Sequence, residues 1–187
     1  MNKTLRQMIM YDYYRNTGGK KVTPISHFIN PNLRCLKFFR CAQYHRENGK
    51  NPLILKYYRF RLLLHSHRYF THLPWNATIG KGLYIGHIGR VIISSYGSIG
   101  DNVNIAVGVT IGQTQRGDKK GFPTIGNCVW IGINAVVVGN IRIGDDVLIA
   151  PNAYVNFDVP DHSIVIGNPG VIIHKENATE GYINNKV

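Results

Sequence analysis

Of the side chains that can move protons near neutral pH, the eight histidines come first, since an imidazole titrates at about 6.5 and can both take a proton and return it. Only His87 lies inside the strongly patterned stretch from Ala77 to about Pro160. It stands two residues after an apolar anchor, as do Lys81, Asp101, Gln113, Asn127 and Asp145, so it points outward at a corner. On that pattern alone it reads as a surface histidine. His72 sits just ahead of the patterned stretch, where a linker histidine and a partner of His87 are both open readings. Cys35, Cys41 and Cys128 are odd in number and lack metal-type spacing, which argues against a disulfide framework and fits a reducing cytoplasm. The hexads supply one histidine rather than a set of ligands, so no metal is expected.

The elements that must position His87 announce themselves through a period of six. Isoleucine or valine anchors fall at Ile79, Ile85 and Val91; after a two-residue slip at Ile99, Ile105 and Ile111; and after a longer break at Ile125, Ile131, Val137, Ile143, Ile149 and Val155. Glycine commonly follows the anchor, and the position two before it is mostly apolar or small. Six fits neither helical periodicity nor simple strand alternation, so it marks a solenoid in which each hexad is one short strand with two inward side chains. Three hexads close a coil, and the anchors make about four coils stacked at roughly 4.8 Å.

Four runs carry a family likeness: Ile79-Gly-Lys-Gly-Leu-Tyr-Ile-Gly-His87, Gly108-Val-Thr-Ile-Gly112, Val129-Trp-Ile-Gly-Ile-Asn-Ala135 and Ile166-Gly-Asn-Pro-Gly170. Over residues 72 to 175 the chain resembles the hexapeptide-repeat acyltransferases, in the branch similar to serine acetyltransferases and cell-surface polysaccharide O-acetyltransferases. The resemblance implies an all-β solenoid, a left-handed parallel β-helix of hexapeptide repeats, here with a short N-terminal α-helical cap. The hand comes from the resemblance alone, because general crossover rules favour the other.

The resemblance also implies the chemistry. His87 falls on the family's catalytic histidine, a general base for an acceptor hydroxyl attacking the thioester of acetyl-CoA, without a metal or a covalent enzyme intermediate. His72 aligns with the carboxylate that orients this histidine in serine-specific members, and Phe122 with a second histidine in their loop; both departures favour another acceptor. Acetyl-CoA is expected along Gly132, Ile133, Asn134, Ala150, Pro151 and Asn152, with its nucleotide end near Asn168 and Lys175, and with a backbone donor near Gln113. Phe122 and Arg90 are the candidate acceptor contacts. Trp130 reads as a core aromatic or as lining a groove between subunits of a homotrimer, and the resemblance favours the groove. The loop from Gly112 to Thr124, which breaks the hexads with glycine and charge, is expected to reach over a neighbouring subunit's site.

Charge divides the chain. Residues 1 to 75 hold 14 Lys and Arg against 2 Asp and Glu, whereas residues 76 to 187 hold 8 against 8, so the net +12 belongs to the N-terminal part. Asn30-Pro31 and Asn51-Pro52 begin two helices, the first ending near Gly49 and the second near Phe70. These carry Arg34, Lys37, Arg40, Arg46, Lys50, Lys56, Arg59, Arg61 and Arg68 interleaved with Phe38, Phe39, Tyr44, Tyr57, Tyr58 and Phe60. The pair reads as a cap on the open end of the solenoid, with peripheral contact to an anionic membrane as an addition to that role. No nucleic-acid recognition module is visible. No stretch reaches the roughly 18 apolar residues of a spanning helix, and the start shows no apolar run of signal-peptide length.

The expected organisation is thus a basic helical region (1–75), a β-helix acyltransferase domain (76–175) and a mobile tail (176–187). Within the first region, Met8 to Tyr14 promises only a helical turn or two. The expected activity is acetyl-CoA-dependent O-acetylation of a sugar hydroxyl on a cell-surface polysaccharide or its precursor, in the cytoplasm or at the inner face of the membrane. The alternatives are a serine O-acetyltransferase and a non-catalytic trimeric scaffold.

Overall fold

A computed structural model describes residues 2–49 and 51–187, so Lys50 lies outside the described residues. Helices α1 (Lys3–Asn16), α2 (Pro24–Ile29), α3 (Pro31–Asn48) and α4 (Pro52–Tyr69) precede the solenoid. The asparagine-proline pairs work as expected. The Asn30 side chain accepts from the Asn32 and Leu33 N–H groups and the Asn51 side chain from those of Leu53 and Ile54, each with proline in the first turn.

The strand β1 (Thr71–His72) opens the solenoid a few residues before the expected boundary. The first full coil is β2 (Thr78–Ile79), β3 (Tyr84–Ile85) and β4 (Val91–Ile93), and the second is β5 (Ser98–Ile99), β6 (Asn104–Ile105) and β7 (Thr110–Gly112). The third is β8 (Thr124–Ile125), β9 (Trp130–Ile131) and β10 (Val136–Val138), and the fourth is β11 (Arg142–Ile143), β12 (Val147–Ile149) and β13 (Tyr154–Val155). An antiparallel hairpin, β14 (Ser163–Ile166) and β15 (Val171–His174), follows. Like strands of successive coils pair in parallel to give three faces: β2-β5-β8-β11, then β3-β6-β9-β12-β14-β15, then β1-β4-β7-β10-β13. We call these the first, second and third faces. All twelve anchors are buried, together with Ala77, Leu83, Val103, Val109, Val129, Ala135, Ile141, Val147 and Ala153 two positions before theirs, so the hexad is the inward stripe of each strand.

The glycine after the anchor is required by close approach between coils. A Cβ at Gly80 would lie 2.7 Å from the Gly100 carbonyl carbon, and one at Gly126 2.8 Å from that of Gly144. Alongside them, at the edge between the first and second faces, side chains stitch the coils together. Asp101 accepts from the Lys81 N–H at 2.8 Å, Asn127 from Asp101 at 2.8 Å, Asp145 from Asn127 at 2.6 Å and Asp161 from Asp145 at 2.8 Å.

At the N-terminal end, helix side chains replace the missing rung. Arg40 donates to the Ile79 and Gly80 carbonyls, Arg15 to Gly82 at 2.6 Å, Asn16 to Leu83 at 2.8 Å and Asn32 to Ile85 at 2.9 Å. In return the Leu83 N–H donates to Asp12 and the Ile85 N–H to Asn16. Open strand edges are thereby closed to further pairing.

Two expectations are corrected. The stretch read as a helical turn or two is the 14-residue helix α1, which buries Leu5, Ile9 and Tyr13, and also Asp12 and Arg15. The tail 176–187, expected to be free, packs on the second face: Ala178, Thr179 and Ile183 are buried. The Asp146 carboxylate accepts from the Ala178 and Thr179 N–H groups, both at 3.0 Å, and from the Thr179 hydroxyl at 2.6 Å. Further along, Asn104 donates to the Tyr182 carbonyl and Asn102 exchanges two hydrogen bonds with Val187. The packing comes from side chains bonding the tail backbone, which leaves no periodic trace. No described helix is long and apolar enough to cross a membrane.

Candidate active site

The edge where the second face turns into the third gathers most of the candidate residues. Each coil crosses it in a short turn: Gly86 to Arg90, Ala106 to Gly108, Gly132 to Asn134, Ala150 to Asn152, and Gly167 with Asn168 after β14. Backbone bonds join these turns, from the Gly108 N–H to Arg90 (2.6 Å), from Asn134 to Val107 (3.0 Å), from Asn152 to Ile133 (2.8 Å) and from Tyr154 to Gly167 (3.0 Å). His87 and Asn168 stand four coil steps apart, about 19 Å at strand spacing. One chain therefore aligns the candidate base with Ile133, Asn134, Pro151, Asn152 and Asn168 in a single column.

The turns are tight for an identifiable reason. Gly108 has φ +82° and a Cβ there would sit 1.9 Å from the Asn134 side-chain oxygen. A Cβ on Gly132 would lie 2.6 Å from the Pro151 nitrogen. Small residues thus keep the column narrow and leave Ile133, Pro151 and Asn152 exposed along it. Among the described residues no hydrogen bond engages the His87 ring, which is exposed, so its nitrogens are open to a bound substrate. Arg90 is exposed on the same edge. Ile88, half exposed at 50%, was not singled out from the sequence; its position beside His87 in an exposed turn was the available signal.

Beyond Ala150 and Pro151 the column opens into a groove of about 580 Å³ on the second face, lined also by Trp130, Leu148, Ile164 and Lys175. The Trp130 ring lies 4.8 Å from that of Tyr182, so the tail of its own chain forms this wall of the groove. Asn168 is exposed at the far end of the column, whereas Lys175 is exposed at the other end of the β14–β15 hairpin, where its N–H donates to the His162 carbonyl across the second face from Asn168.

Three candidates lie elsewhere. His72 is exposed on the third face, paired in register with Ile92 and not hydrogen-bonded to His87. Gln113 and Phe122 flank the loop at the edge between the third and first faces, across a whole face from His87. The Phe122 ring packs against that of Tyr96 in a tilted pair, centroids 5.0 Å apart. A Thr114–Gly121 bridge closes the loop on itself, and a Lys119–Asp158 ion pair of 2.7 Å ties it to its own solenoid. Among the described residues no group of histidine, cysteine and carboxylate side chains is gathered for a metal ion.

Comparison with known proteins gives consistent matches. Residues 122–156 match the family described as bacterial transferase hexapeptide (six repeats). A serine acetyltransferase of Helicobacter pylori is 40% identical over 122 residues, which cover 64% of this chain and 71% of that protein. A serine acetyltransferase of Staphylococcus aureus (strain Mu50) is 40% identical over 128 residues, 67% of this chain but only 60% of the relative's length. Among solved structures, the serine acetyltransferase of Brucella abortus in complex with coenzyme A superposes with a TM-score of 0.71 at 26% identity, covering 91% of this chain and 66% of that one.

Proposed function

The chain belongs to the hexapeptide-repeat transferases, within them to the serine acetyltransferase family, and on that footing we propose that it transfers an acetyl group from acetyl-CoA to an acceptor hydroxyl. The observation that carries this reading is the single column holding His87 together with Ile133, Asn134, Pro151, Asn152 and Asn168. That one relative was solved with coenzyme A supports the choice of thioester.

The chemistry follows from an exposed, unengaged imidazole. A hydroxyl ionises far above neutral pH, so it attacks a thioester carbonyl only when its proton is removed as the bond forms, a contribution of about 10² to 10⁴ in rate. The unprotonated nitrogen of His87 takes that proton while the acceptor oxygen bonds to the acetyl carbon. The tetrahedral intermediate collapses with cleavage of the carbon–sulfur bond, and the imidazolium gives its proton to the departing thiolate. The products are an O-acetyl ester and coenzyme A, with the histidine restored. The intermediate's oxyanion needs a donor, and the backbone near Gln113 is the candidate.

Gln113 and Phe122 sit on a different edge from His87, which supports a homotrimer in which the loop edge of one copy faces the His87 edge of the next. The buried free thiols of Cys35 and Cys41 fit a reducing compartment, and we place the protein in the cytoplasm.

For the acceptor, the relatives favour L-serine, and this replaces a sugar hydroxyl as the first reading. The sugar reading stands second on two observations: His72, in place of an orienting carboxylate, is not bonded to His87, and Phe122 offers an aromatic ring where serine-specific members carry an imidazole. Coenzyme A release measured with L-serine, with nucleotide sugars and with polysaccharide fragments separates them. Saturable turnover with L-serine is the expected result. Turnover confined to sugars would move the assignment to the second reading, and failure to bind acetyl-CoA at all would favour a non-catalytic scaffold.

A further inference from the structure

Helix α4 is poorly covered for an element of its composition. Of its eighteen residues only Leu62 and His65 are buried. Leu53 (72% exposed), Phe60 (56%) and Leu63 (53%) face outward, as do Ile25, Phe28 and Ile29 of the adjoining α2. Exposed apolar side chains gathered this closely mark an interaction surface. A groove of about 860 Å³ runs between α2, α3 and α4, with Phe28, Phe60 and Leu64 among its apolar walls and Arg34, Arg61 and Arg68 among its polar ones.

The charge on this surface selects the partner. Every charged residue of α4 is basic: Lys56, Arg59, Arg61 and Arg68. The two acidic residues of the N-terminal region cannot offset them, because Asp12 is sealed against Arg40 and Glu47 pairs with Arg46. A second copy docking through the same face would set these cations against their own equivalents, so self-association is disfavoured while an anionic surface is attracted. The groove has one further feature. His65 lines it, is only 5% exposed, and its Nε2 has no hydrogen-bond partner among the described residues. Burial, with Arg34 nearby, pushes this imidazole down to about 4, so at neutral pH it is uncharged and holds an unused nitrogen at the groove wall.

We propose that the α2–α4 face docks on an anionic phospholipid bilayer, with Phe28, Phe60, Leu63 and Leu64 entering the acyl boundary and Arg34, Arg61 and Arg68 receiving a headgroup phosphate in the groove. Apolar insertion and basic attraction act together in such contacts, each too weak alone for firm attachment. The groove is lined by none of the residues of the His87 column, so the proposal does not depend on which acceptor the enzyme uses.

Flotation of the full chain with vesicles of phosphatidylcholine alone, and of phosphatidylcholine with phosphatidylglycerol, tests this at physiological salt. Binding to the mixed vesicles and not to the neutral ones is expected. Arg61→Glu and Arg68→Glu should each lower the partition roughly tenfold, and the pair Phe60→Ser with Leu64→Ser should lower it while leaving coenzyme A release unchanged, which also verifies folding. Inorganic phosphate should compete poorly if the bilayer is the source of the phosphate; full competition by phosphate would assign the groove to a free anion and overturn the docking. Equal flotation with both vesicles, or none with either, would overturn it as well. So would a fall in particle mass by light scattering for Phe60→Ser, which would show a second copy on this face.

Discussion

Asp12 and Arg40 meet through two hydrogen bonds, 2.7 Å to the Arg40 Nε and 3.0 Å to its Nη2, in an ion pair almost wholly removed from solvent. Arg40 also donates to the Ile79 and Gly80 carbonyls and Asp12 accepts from the Leu83 N–H, so the pair clamps α1 and α3 to the first coil.

Breaking that clamp from one side leaves a buried charge unmatched. Asp12→Ala should cost about 3–5 kcal/mol of stability, read as a drop in midpoint by urea denaturation. Replacing both partners by apolar residues, Asp12→Leu with Arg40→Met, should cost less than the single change. A double variant worse than Asp12→Ala would contradict the assignment.

The tail should be held most firmly in a window of mildly acidic pH. Partial burial pushes the Asp146 carboxyl up, but hydrogen bonds from Thr179, His162 and Ala178 outweigh it and hold the group below its ordinary 3.8. Its stabilisation is therefore present above about pH 3.8 and lost as pH falls through the lower folded value. For His162 the hydrogen bond to Asp146 raises the imidazole above its ordinary 6.5, so that contribution is full below about 6.5 and lost as pH rises through the folded value. Hydrogen exchange at the Ala178 and Thr179 amides, corrected for intrinsic rates, should be slowest between these limits. Asp146→Asn should raise exchange at both amides and flatten the dependence; an unchanged profile would contradict the account.

The thioester column makes a separate prediction about kinetics. Ile133 is 45% exposed in the thioester column, two coils along from the His87 turn. Ile133→Asp should raise the KM for acetyl-CoA roughly tenfold through lost apolar contact, with kcat within about twofold and the melting temperature unchanged. A fall in kcat at constant KM would place the thioester elsewhere.

The solenoid was legible because its anchors repeat: a buried isoleucine every sixth residue is a signal that no local exception hides. The asparagine-proline helix starts were legible for a similar reason, being local chemistry. Helix α1 was not, because its packed face includes Asp12 and Arg15, polar residues that a hydrophobic pattern counts as exposed. Nor was the role of Asp101, Asn127 and Asp145, which read as outward corner residues yet, together with Asp161, serve as acceptors for the backbone of the preceding coil. In the candidate site, family likeness together with the hexad register brought His87 and the thioester residues to one edge. The separation of Gln113 and Phe122 onto another edge follows from counting coils around a three-sided prism.

The central claim is that His87 moves the proton in acetyl transfer. Single-turnover coenzyme A release from acetyl-CoA and L-serine, compared between the native chain and His87→Ala, tests it most directly. The account predicts a loss of about 10² to 10⁴ in the chemical step with the dissociation constant for acetyl-CoA and the thermal midpoint unchanged. A variant that releases coenzyme A at the native rate would contradict it.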